Sequence, residues 1–125
     1  MGTFNVTFQV GTRAAAGFQE VNALVDTGAS YTTLPATLLR SLGVEPQAQR
    51  NFTVATGDLV QRELGRTWVK IDGQTEMTIV VFGDDAALPL LGAVTLEEFG
   101  LGVDPVAKKL IPVPGLLART GHPGA

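Results

Sequence analysis

The chain has 125 residues, enough for one domain with a real core and too few for two of ordinary size. With 45% hydrophobic residues, 17% charged residues and a formal net charge of −3, it reads as a soluble globular protein without a nucleic-acid footprint. The absence of cysteine excludes disulfides, thiolate nucleophiles and thiolate metal sites, and no apolar run reaches the roughly 20 residues that cross a bilayer.

Phe4, Val6, Phe8 and Val10 alternate with Asn5, Thr7 and Gln9, the period-two pattern of a half-buried strand. This opening lacks the charged and apolar regions of a signal peptide, so the cytoplasm is the expected location. A second strand is expected over Phe18–Val25, with Val21, Ala23 and Val25 on one face, followed after a small-residue turn by β-favouring Tyr31-Thr32-Thr33. The period then changes, and Leu34, Leu38, Leu39 and Leu42 fall at helical spacing, predicting a short helix over 35–42 with Pro35 in its first turn and Gly43 as a left-handed stop. Phe52–Ala55 and Leu59–Gln61 flank Thr56-Gly57-Asp58 as a hairpin with a glycine-containing tip. Thr67–Ile71 and Thr75–Phe82 flank Asp72-Gly73, a strong hairpin signal. A Leu88–Leu91 strand, a second helix near Val94–Phe99 closed by Gly100, and a last hairpin around Asp104-Pro105 complete the reading. Many short strands with frequent turn signals and only two short helices predict an all-β, barrel-like domain over 1–117, with 118–125 as a flexible tail.

Chemistry concentrates at Asp26-Thr27-Gly28-Ala29-Ser30, where the apolar run Val21–Val25 delivers one carboxylate into a turn of small residues. Two readings are open for Asp26: a turn cap, since Asp, Thr, Gly and Ser are ordinary turn residues, or an acid presented for reaction. A second apolar run, Leu88-Pro89-Leu90-Leu91-Gly92, also ends in glycine and would meet the first. Asp84-Asp85 lacks the further oxygen donors of a cation site and reads as solvated. His122, the single histidine, lies in the tail, so neither a Ser-His-Asp mechanism nor a histidine metal site has a base or ligand. No metal and no cofactor are expected. Arg50, Arg62, Arg66, Lys70, Lys108 and Lys109 are scattered along the chain rather than clustered.

The two runs, and the order of elements around them from residue 4 to 113, resemble the retropepsins, the retroviral-type aspartic proteases. The resemblance implies a single-lobed acid protease barrel with one or two short helices. It also implies a peptide or protein substrate, Asp26 as the catalytic acid/base, Thr27 and Gly28 bracing the active-site loop and the dimer, and Ala29, Ser30, Thr56, Gly57, Asp58 and Leu91 near the substrate. Such enzymes place a water between two aspartates that share one proton, because like charges a few ångströms apart cannot both ionise. One Asp-Thr-Gly per chain then requires a symmetric homodimer, to which Phe4–Val10 or Leu110–Leu117 are the expected contributors. The alternative is a catalytically inactive dimer of the same fold, serving as a peptide-binding or assembly module. Ala93-Val94 stands where relatives often place a polar or charged residue, which leaves open whether a helix cap or a dimer salt bridge is missing.

Overall fold

The computed structural model describes residues 4–11 and 17–115; the expected domain end at 117, the tail 118–125 and the last residues of Leu110–Leu117 lie outside them. Alternation builds the first sheet pair. In β1 (Asn5–Gly11) it buries Phe8 and Val10, and in β2 (Gln19–Val25) it buries Val21, Ala23 and Val25. β3 (Thr32–Pro35) leads into α1 (Ala36–Ser41), which buries Leu39. Pro35 has an extended ψ of 135°, so it ends the strand instead of opening the helix, and Gly43 at φ 82° supplies the left-handed stop. The amide and the hydroxyl of Thr37 both donate to Asp85 Oδ1 at 3.0 Å. Asp85, expected to be solvated, therefore caps a helix that its own N-cap proline cannot cap.

β4 (Ala48–Thr53) and β5 (Leu59–Ile71) form the glycine-tipped hairpin, and β6 (Gln74–Gly83) returns from β5 through Asp72 and Gly73 at φ 50° and 82°. Both positive angles are what a two-residue hairpin turn requires. β7 (Leu90–Leu91), α2 (Ala93–Glu98), β8 (Leu101–Asp104) and β9 (Lys109–Pro112) follow, the last two as a separate hairpin. The large sheet runs β1-β2-β7-β3-β6-β5-β4, and an added β1–β5 pairing closes it into a barrel that leaves only β4 outside. This is the expected all-β barrel with two short helices. Among the described residues no helix is long and apolar enough to cross a membrane.

Three differences from the sequence reading have physical causes. β5 is one strand of 13 residues: its first half carries β4, while Trp68, Val69 and Lys70 pair with β1 to close the barrel. Gly65 interrupts the apolar pattern there because a Cβ would lie 3.0 Å from both Glu45 O and Phe82 Cε1. β4 begins earlier than Phe52 because Ala48–Asn51 is exposed throughout, so the β5 ladder alone defines it. β7 shrinks to two residues: Leu88 is 61% exposed, and Pro89, without an amide hydrogen, precedes the strand.

Candidate active site

Asp26 emerges from the end of β2, where β7 lies parallel alongside, pairing Leu24 with Leu90 and Val25 with Leu91. The Asp26 amide continues that ladder by donating to Leu91 O at 3.0 Å. The chain then folds back on the carboxylate: Gly28 N–H donates to Asp26 Oδ1 at 2.9 Å and Ala29 N–H to Asp26 O at 3.1 Å. The carboxyl thus caps its own turn with one oxygen while standing half-buried at the surface. A Cβ on Gly28 would press on Asp26 Oδ1 at 3.2 Å, so glycine keeps that oxygen uncrowded. Thr27 is exposed, and its hydroxyl has no partner among the described residues.

The loop is pinned from behind by α2. Ala93 N–H donates to Ala29 O and Val94 N–H to Ser30 O, both at 2.9 Å. These two carbonyls cap a helix that has no side-chain cap of its own. That answers the helix-cap half of the question raised after Gly92. Gly92 is required by the same closeness, since a Cβ there would fall 2.5 Å from the carbonyl carbon of Tyr31.

Beneath the loop lies a hydroxyl chain that sequence reasoning missed. Gly92 N–H donates to Thr32 Oγ1 at 3.1 Å, and Thr95 Oγ1 bonds Thr32 Oγ1 at 2.6 Å and Thr78 Oγ1 at 2.8 Å. All three threonines are fully buried, tying β3, β6 and α2 together. Nothing local marked them in the sequence, where Thr32 and Thr78 read as ordinary β formers and Thr95 as part of a helix.

Beside Asp26 runs a groove of about 400 Å³. Its wall begins at Gly28 and continues through Ala29, Ser30 and Tyr31, its floor includes Val81 and Leu90, and the β4–β5 hairpin adds Phe52, Val54 and Val60. Tyr31 meets the Phe52 ring edge-on at 6.2 Å between centroids, which joins wall to hairpin. The tip residues Thr56, Gly57 and Asp58 lie beyond this lining and are exposed. There Gly57, at φ 91°, donates to Val54 O at 2.8 Å, and Thr56 Oγ1 donates to Asp58 Oδ2 at 3.0 Å. Leu91 is wholly buried and faces the core; strand alternation turns Leu90 to the groove in its place. The structure therefore brings Gly28, Ala29 and Ser30 into the groove's lining, leaves Asp26 two residues outside it and the tip residues beyond it, and uses Leu91 as support.

The described residues contain no cluster of His, Cys, Asp or Glu suited to a metal ion. Asp84 is instead ion-paired with Arg62 at 3.2 Å on the groove's rim. What the arrangement offers chemically is one carboxyl, able to give or take a proton, near a largely apolar groove to which the β4–β5 hairpin contributes.

A family model described as aspartyl protease matches residues 8–96, a span that holds the Asp26 loop, the hairpin and β7. No curated protein matches the chain. Among solved structures, the EIAV protease in complex with an inhibitor is similar at 18% identity, covering 78% of this chain and 88% of that one, with a TM-score of 0.57. A retropepsin-like aspartic protease from Rickettsia conorii is similar at 22% identity, covering 82% and 87%, with a TM-score of 0.51. The retroviral protease-like domain of Ddi1 from Leishmania major is similar at 20% identity, covering 86% of each chain, with a TM-score of 0.53. These three establish likeness of fold.

Proposed function

The chain belongs to the aspartyl protease family, and from that premise we propose that it is a homodimeric endopeptidase using Asp26 of each copy as a catalytic dyad. The observation that carries the reading is the position of Asp26: half-buried, with Oδ1 held by Gly28 N–H, beside a groove long in apolar side chains. One chain supplies a single such carboxyl, and a water is activated when two share a proton. A second copy related by a two-fold axis supplies the other. One Asp26 takes a proton from the water as general base while its protonated partner polarises the scissile carbonyl, and the roles exchange as the amine leaves.

Within this reading Thr27, exposed and unpartnered among the described residues, offers its hydroxyl to the partner's loop. Ala29 and Ser30 border the bound peptide, and the hairpin tip of Thr56, Gly57 and Asp58 closes over it, excluding water from the reaction. The pH–rate profile is then bell-shaped, with two apparent constants that belong to the pair.

The test is incubation of the wild-type and Asp26→Asn proteins with a diverse peptide library, with products read by mass spectrometry. Cleavage is expected from the wild type and a loss of about 100- to 10,000-fold from the variant, the range of a general acid–base contribution. Undiminished cleavage by Asp26→Asn overturns the mechanism.

A further inference from the structure

Arg50 and Arg62, distant in sequence, are direct cross-strand partners in the β4–β5 ladder. Opposed residues of an antiparallel pair project from the same face. Here that face adjoins the groove, since Phe52, two residues on from Arg50 in the strand, and Arg62 line it, while Arg50 itself stands outside the lining and meets it at Tyr31. Like charges set directly opposite one another destabilise a strand pair. The two guanidinium groups answer by splaying. Arg50 lies over the Tyr31 ring, 5.5 Å from its centroid, and donates to the Tyr31 hydroxyl. Arg62 donates to Gln61 O at 3.0 Å and reaches Asp84 at 3.2 Å. Asp84 is 70% exposed, so this ion pair is weak, and among the described residues Arg50 has no carboxylate partner at all. A pair of cations, Arg62 in the lining of a largely apolar groove and Arg50 at its edge, thus has at most one weakly held counter-charge.

We infer that Arg50 and Arg62 are specificity residues that select an acidic side chain on the bound peptide. The inference rests on the groove being the peptide cleft. A guanidinium has five N–H donors in a planar fork, and the bonds to Gln61, Asp84 and Tyr31 leave donors on both side chains. A peptide carboxylate placed between them takes charge-assisted bonds from each and relieves the cross-strand repulsion. Asp84, largely in water, yields its place at little cost. Of the hairpin's own acids, Asp58 is occupied by Thr56 at the tip and Glu63 by Arg40 at 2.8 Å.

The experiment uses the Asp26→Asn protein, so that binding is read apart from hydrolysis. Fluorescent peptides, acetylated and amidated so that side chains are the only carboxylates, carry Glu or Gln at one position that is scanned along the sequence. Affinity is measured by anisotropy. Glu is expected to bind about tenfold more tightly than Gln at one or two neighbouring positions, the size of a hydrogen bond to a charged group. Adding Arg50→Gln or Arg62→Gln lowers the Glu-to-Gln ratio, the double substitution brings it to one, and Arg62→Glu shifts the preference to Lys at the same position. Equal binding of Glu and Gln at every position in the Asp26→Asn parent overturns the inference, as does a ratio that survives the double substitution. Cleavage by the wild-type protein plays no part in this readout, so loss of acid selection and loss of hydrolysis are distinguishable results.

Discussion

Removing the Thr95 hydroxyl takes the partner from Thr78 Oγ1 and leaves Thr32 Oγ1 with the Gly92 amide alone. Thr32 and Thr78 reach each other only through Thr95 Oγ1, at 2.6 Å and 2.8 Å, in a site closed to water. Thr95→Val keeps the shape and deletes the bridge, and leaves buried polar groups short of a partner. Such a deletion costs about 1–3 kcal/mol, to be measured by urea unfolding, with Thr95→Ser restoring most of the loss because the hydroxyl returns. Full stability in Thr95→Val would mean that the chain of hydroxyls contributes nothing. Gly92 stands beside this network and tolerates no side chain, for the Tyr31 carbonyl occupies the space a Cβ needs. At this scale the sequence was legible where one residue's own geometry decides, as at Gly43, Gly57 and Asp72-Gly73 with their positive φ. It was silent where the partner comes from another element: neither the three threonines nor the Arg50–Arg62 opposition has any local signature.

At the scale of elements, α1 depends on a residue far along the chain. Its first turn has no acid of its own, and Asp85 accepts from both the amide and the hydroxyl of Thr37. Those bonds, the backbone one foremost, with a smaller contribution from the Arg40 charge, hold the Asp85 carboxyl below the ordinary aspartate range. A group with a depressed folded-state pKa adds stability above its unfolded value and loses it as pH falls through the folded one. Asp85→Asn mimics the protonated state. The melting temperature of the wild type should therefore exceed that of Asp85→Asn at neutral pH, and the gap should close in strong acid; a gap independent of pH would refute the assignment. Strands β1 and β2 and the β5–β6 hairpin were readable because alternation and turn chemistry agree there. The start of β4 and the middle of β5 were not, because Ala48–Asn51 is exposed and the other is crossed by charges and a glycine.

For the whole molecule, the proposed catalyst exists only as an assembly, so activity and association are one measurement. Specific activity should rise with protein concentration and level off where sedimentation reports dimer, and Asp26→Asn should still associate, being altered at the dyad and not in its fold. A sedimenting monomer that cleaves peptides at full rate would rule out the shared site. The barrel itself asks little of the sequence around Asp26. Every tie from the loop to the start of α2 joins an amide to a carbonyl, Ala93 to Ala29 and Val94 to Ser30. Since those ties belong to the main chain, the identities of the four residues can be exchanged without severing one. The neighbourhood of the acid can in this way be rewritten while the carboxyl stays in register.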